Sequence, residues 1–293
     1  MTSTSRLLLA SMISIASLAC NSPKPADTTG DVNLNDSTST FSPRLGIALW
    51  TFHTVNFPTS LNQVDSSGLK LIEANTFHNT GPELNDSLLG QLSDAGLEKL
   101  RGYITSKNLE LGSVYLGGGN TVDAWKKDFE VAKKLNAKFV TAEPPVQMWD
   151  AVDSLAGVYG LKVAIHDHWK GTSAYWHPDS VLAAIKDHPN FGACADLGHW
   201  PKSGVNPTDA VKKLEGHIIA IHLKDIAEYN NTKIQDVRVG TGVIDFPAVF
   251  NELKRQNFNG NVYIERDTQE PGSNVQSVIE TVKYYNDMIG KMR

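Results

Sequence analysis

Leu161-Lys162-Val163-Ala164-Ile165-His166-Asp167-His168 is a short apolar run that ends abruptly in ionisable residues. Its apolar part is continuous rather than alternating, the pattern of a strand covered on both faces within a parallel sheet. The same passage recurs towards the C-terminus. Residues 191–195 lead into Asp196, with His199 three positions on; residues 218–223 carry His222 and precede Lys224; residues 261–264 lead into Glu265. Towards the N-terminus, residues 45–50 end at Trp50, residues 69–74 contain Glu73, residues 109–116 contain Tyr115, and residues 138–142 precede Glu143. Between these eight strands lie amphipathic stretches, clearest at 123–135, where Ala124, Trp125, Phe129, Ala132 and Leu135 recur at helical spacing. Residues 247–256 and 275–288 read the same way. Eight strands joined by crossover helices predict an α/β fold closed into a (β/α)₈ TIM barrel. The alternative, an open doubly wound sheet, lacks its Gly-x-Gly-x-x-Gly fingerprint after the first strand; Gly117-Gly118-Gly119 lies elsewhere with the wrong spacing.

The bulk properties agree with one barrel. The 293 residues, 41% of them hydrophobic, supply enough material for one large core, and the net charge of -5 offers no basic face for nucleic acid. Small neutral substrates suit it better. The fold does not begin at Met1. Arg6 precedes an apolar run at 7–19, too short for a permanent transmembrane helix, and the run closes on Ser17-Leu18-Ala19-Cys20. This resembles a bacterial lipoprotein signal over residues 1–20, with Cys20 as the lipid-bearing residue and sole membrane anchor; ordinary secretory cleavage near Ala19 is the alternative. Either reading predicts an exported protein, periplasmic or anchored to the outer membrane. Residues 21–43 are rich in Ser, Thr, Asp, Asn and Pro and read as a disordered tether, leaving 44–293 as the catalytic domain. Cys194, in an apolar run, reads as a small buried hydrophobe.

In a (β/α)₈ barrel the C-terminal strand ends meet in one mouth, where active sites are built. Glu73, Glu143, His166, His168, Asp196, His199, His222, Lys224 and Glu265 all fall at such ends. Unpaired, such groups would cost several kcal/mol each to bury, and a divalent cation removes that cost. Consecutive strands offer His166, Asp196, His222 and Glu265, a set of two imidazoles and two carboxylates suited to Mn²⁺, Co²⁺, Zn²⁺ or Fe²⁺. An ion-pair network filling the mouth is the alternative. His168 reads as a substrate contact or as support for a ligand, and Lys224 as an oxyanion stabiliser or the partner of Asp225. Trp50, Phe52, Tyr115, Trp169 and Trp176 are candidate stacking platforms for a sugar. Arg238, in the long loop after the seventh strand, either reaches substrate or carries a solvated charge.

The order and spacing of these segments resemble the xylose isomerase-like TIM barrels, the sugar phosphate isomerase/epimerase group. The resemblance rests on Leu45–Trp50, Gly68–Glu73, Ala164–His168, Asp196-Leu197-Gly198-His199, His222-Leu223-Lys224-Asp225, Gly240–Asp245 and Tyr263-Ile264-Glu265. Similarity to tagatose-type epimerases implies metal ligands at His166, Asp196, His222 and Glu265 and a substrate-binding imidazole at His199. Those epimerases carry Glu where this chain has His166, which makes Glu143 the candidate replacement carboxylate. The resemblance implies proton abstraction next to a carbonyl, through an enediolate stabilised by one divalent metal ion. Glu143 and Glu265 are the acid/base candidates, with raised pKa values expected in a partly dry mouth. The expected activity is a sugar isomerase or epimerase. A lyase acting on a 3-keto-glycoside and a non-catalytic sugar-binding lipoprotein are the alternatives.

Overall fold

The computed structural model describes residues 41–292, so the lipoprotein signal and nearly all of the expected tether lie outside the described residues. Eight parallel strands close a barrel in sequence order, each paired with its chain neighbours and the last with the first. They are β1 (Arg44–Ala48), β2 (Leu71–Asn75), β3 (Glu110–Tyr115), β4 (Phe139–Ala142), β5 (Val163–His166), β6 (Phe191–Asp196), β7 (Ile218–Leu223) and β8 (Asn261–Ile264). Each expected strand is present within a residue or two, except that the first stops at Ala48 and continues as a 3₁₀ turn, Leu49–Phe52. The three amphipathic stretches form the helices Val122–Lys134, Phe246–Arg255 and Val275–Gly290. Ser93, Thr121 and Asp245 cap helix N-termini by accepting from backbone N–H groups, and Pro occupies the first turn of several helices.

Side-chain alternation along the strands sets two cores. Most apolar residues pack between the strands and the surrounding helices in one large cluster. A separate small cluster contains Ala48, Leu71, Phe139, Ala164, Cys194, Ala220 and Tyr263. Residues two apart on a strand share a face. The side chains two positions beyond Leu71, Ala164, Cys194, Ala220 and Tyr263 are Glu73, His166, Asp196, His222 and Glu265. The interior cluster is thus the floor on which the ionisable layer stands. Ala164, Cys194 and Ala220 are small, leaving room for the Tyr263 ring, whose hydroxyl meets Ser113 Oγ at 2.9 Å and Asn261 Nδ2 at 2.8 Å. Cys194 is fully buried, as its apolar context predicts.

A two-residue antiparallel ladder, Asp225–Ile226 with Asp236–Val237, was not anticipated. It folds the long segment after β7 back to the barrel mouth. The Asp225 carboxylate holds that segment by accepting from the backbone N–H groups of Gly240 and Gly242 at 3.0 and 2.8 Å.

Packing beneath the site has little slack at Gly112, where an added Cβ would collide with the Tyr263 hydroxyl and the Asn261 amide. Gly112→Ala is expected to lower unfolding free energy by about 1–3 kcal/mol, the usual cost of overpacking. Urea denaturation of both forms checks this; unchanged stability would show that the floor relaxes freely.

Candidate metal centre and its surroundings

β5 to β8 bring His166, Asp196, His222 and Glu265 together, with one donor atom from each lying within 4.8 Å of the others. All four residues are buried. His166 Nε2 is 3.1 Å from His222 Nδ1, and His222 Nδ1 is 2.8 Å from Glu265 Oε2. Asp196 Oδ2 lies 3.6 Å from His166 Nε2 and 3.1 Å from Lys224 Nζ. Two imidazoles and two carboxylates converging in one buried layer make a donor set that fits a divalent transition metal.

Glu73, for which the sequence suggested no role, completes the arrangement. Its Oε1 lies 2.8 Å from His222 Nε2, while Oε2 accepts from Ser113 and Thr141 at 2.7 and 2.5 Å. A carboxylate fixed on Nε2 favours the tautomer protonated there and turns the Nδ1 lone pair towards the cluster, as outer carboxylates do for metal-binding histidines. Burial alone would depress the pKa of both imidazoles. Asp196 and Glu143, each 3.6 Å away, reverse this for His166, and Cys194, Glu265 and Glu73 reverse it for His222, so both are raised well above the usual histidine range.

Lys224 is buried at the same place, its Nζ 3.1 Å from Asp196, 3.2 Å from Glu265 and 3.0 Å from Asp267. These carboxylates overcome burial and hold the ammonium well above the normal lysine pKa. The Lys224–Asp225 pairing does not form, because Asp225 is occupied by backbone N–H groups. Asp267 was overlooked in the sequence, where nothing separates it from a solvated loop acid. Here it accepts from Trp50 Nε1 at 3.0 Å and from Lys224. His199, expected to touch substrate, is fully buried, and its Nε2 lies 3.1 Å from Lys224 Nζ. Burial, with Lys224 close by, keeps this imidazole well below the usual range despite the opposing pull of Asp196. It is therefore neutral and accepts from the ammonium.

A cavity of about 540 Å³ opens over the cluster, within the size range of small-molecule sites. His166, Glu265, Glu73 and Lys224 reach its wall, as do Trp50, Tyr115, His168 and Trp169. Phe77 also lines it, an aromatic the sequence reading missed. Phe52 is core, and Trp176 packs under the Lys170 ammonium rather than lining the cavity. Arg238 does not line it either. Its guanidinium is bonded to Glu270 and Glu280, acids supplied by the segment after β8 and the last helix.

Glu143 is also absent from the cavity wall, but it is bonded to two residues that line it. Its Oε1 accepts from Tyr115 Oη at 2.7 Å and lies 2.6 Å from His168 Nδ1, while Oε2 accepts from Ser173 at 2.5 Å. The expectation of raised carboxylate pKa values is overturned. For Glu143, burial is outweighed by the imidazoles of His166 and His168, 3.6 and 2.6 Å away; for Glu265, by Lys224 and His222. Both sit below the ordinary carboxylate range, because the mouth is dry but rich in positive partners.

If the cluster holds a cation, Asp196→Ala should abolish tight zinc or manganese binding while the barrel remains folded, and Glu73→Ala should weaken binding by about ten- to a hundredfold. Because the raised pKa values of His166 and His222 keep them protonated above the usual histidine range, metal must displace protons. Affinity should therefore climb as pH rises above neutrality. Calorimetric titration of each form at several pH values checks this; unchanged stoichiometry in Asp196→Ala would place the site elsewhere.

The family model for xylose isomerase-like TIM barrels matches residues 61–287. An inosose dehydratase of Clostridium botulinum is 30% identical over 132 residues, which are 40% of this chain and 44% of that protein. The match thus spans less than half the length of that relative. A solved Parabacteroides distasonis protein superposes with TM-score 0.66 at 32% identity, covering 84% of this chain and 98% of its own. The zinc-bound IOLI protein superposes with TM-score 0.70 at 20% identity, covering 85% and 98% of the two chains. This chain belongs to the xylose isomerase-like TIM barrel family.

Proposed function

We propose that the protein removes a proton from a carbon next to the carbonyl of a small sugar or keto-glycoside, using a single imidazole base. The observation that carries this reading is the 2.6 Å contact between Glu143 Oε1 and His168 Nδ1. A carboxylate on Nδ1 selects the tautomer whose basic nitrogen is Nε2 and stabilises the imidazolium formed when it takes a proton. Tyr115 and Ser173 fix that carboxylate in turn. Glu143 then acts through His168, which lines the cavity, rather than on the substrate directly.

Lys224 has the complementary part. Asp196, Asp267 and Glu265 keep it charged, so it donates to an oxygen that becomes negative and takes no proton itself. A divalent cation on His166, Asp196, His222 and Glu265 supplies Lewis-acid polarisation of the carbonyl when bound. One base beside one fixed cation suits transfer of the proton to the neighbouring carbon, or expulsion of a leaving group from the β position. Exchange between two carboxylates on opposite faces is less well supported, because His166 replaces one of them and Glu143 does not reach the wall. The likeness to an inosose dehydratase favours elimination, since dehydration expels water from just such a carbanion.

The test is NMR-detected deuterium incorporation in D₂O by metal-loaded protein, over aldoses, ketoses and 3-keto-glycosides. Label is expected at one carbon beside a carbonyl. His168→Gln should lose it, and Glu143→Gln should lower the rate at least about a hundredfold. Full exchange in His168→Gln would remove the one-base reading, leaving Glu265 as the proton acceptor.

A further inference from the structure

The cavity wall carries a second buried cation that the chemistry above does not use. Lys202 ends the short helix His199–Lys202, just after β6, and is only 4% exposed. Other deeply buried cations near the mouth are neutralised at close range. Lys224 has Asp196, Glu265 and Asp267, and Arg266 has Asp236 and Glu270. Among the described residues no carboxylate comes within 4.0 Å of the Lys202 ammonium, and its one close partner is the Trp169 ring, 4.3 Å from Nζ to centroid. The acids whose charge reaches it are already engaged, Asp267 by Lys224 and Trp50, Asp196 by Lys224 and Asp236 by Arg266.

The side chain is buried while its ammonium faces the cavity with no anion beside it, and the ring face repays only part of the hydration it has lost. Burial and the positive charge of Lys224 accordingly push the Lys202 pKa down. Lys202 and Trp169 line the same cavity as His168 and Lys224, so the missing counter-charge has a route in. Exposed Lys233 adds further positive charge to that wall.

We propose that Lys202 is the counter-ion for an anionic group on the substrate, making this a site for acidic sugars rather than neutral ones. Trp169 holds the ammonium in place and the sugar's oxyanion completes its coordination. The shared chemistry is a small oxyanion substituent, a carboxylate or a phosphate. The inference rests on the sugar-directed reading of the site, but its test is binding and needs no turnover.

D-glucuronate, D-glucose 6-phosphate and D-glucose would be titrated calorimetrically into metal-loaded protein at fixed ionic strength. At least one anionic sugar should bind about tenfold or more tightly than glucose, the strength of a charge-assisted contact. The better of the two anions identifies the group as carboxylate or phosphate. Lys202→Met should erase the preference while keeping metal content and an equal or higher melting temperature, and Lys202→Arg should keep it. A merely structural lysine would lower the melting temperature of Lys202→Met and leave discrimination untouched. Equal binding of all three sugars, a preference that survives Lys202→Met, or no measurable binding of either anionic sugar overturns the proposal. Loss of deuterium exchange with anion binding intact would instead count against the proposed reaction alone.

Discussion

Closing eight parallel strands turns one face of every strand inward, where bulk water has little access and charge has to balance locally. The interior cluster sits at the floor, and the next step of two residues places Glu73, His166, Asp196, His222 and Glu265 above it. The pKa directions of His166, Asp196, His222 and Glu265 follow from that single constraint. Burial disfavours charge on each group, yet imidazoles rise and carboxylates fall because each is the other's nearest source of compensation. From the sequence alone, a dry mouth predicts raised carboxylates. Dryness without partners raises them; dryness with Lys224 and two imidazoles lowers them.

Most of the barrel was legible because its strands are nearly continuous apolar runs, each of which ends close to where polar residues begin. His166, Asp196, His222 and Glu265 could be placed together from strand order alone, since the topology brings consecutive C-terminal ends side by side. Side-chain reach was harder to read. Glu143 also ends a strand, yet Tyr115 and His168 take its oxygen and present themselves to the cavity instead. His199 follows Asp196 by three residues, but the turn there buries it under Lys224. Arg238 is captured by two glutamates 32 and 42 positions away, which no local pattern announces. Glu73 was conspicuous without being interpretable. Its meaning depends on His222 Nε2, a partner 149 residues distant and across the barrel interior.

The three acids around Lys224 differ in what else they do. Asp196 and Glu265 belong to the candidate metal cluster, whereas Asp267 does not and is pinned by the Trp50 indole. Two carboxylates would already over-compensate one ammonium, so the third needs its own explanation. With a divalent cation on Asp196 and Glu265, most of their negative charge is spent there, and repulsion would drive a nearby ammonium out of a dry site. Asp267 remains available to hold it, and neutral His199 accepts one of its protons without adding positive charge. That pair gives Lys224 a support independent of the metal ligands. It is the requirement for a lysine to stay charged, stay buried and still face the cavity while a second, stronger cation occupies the same layer.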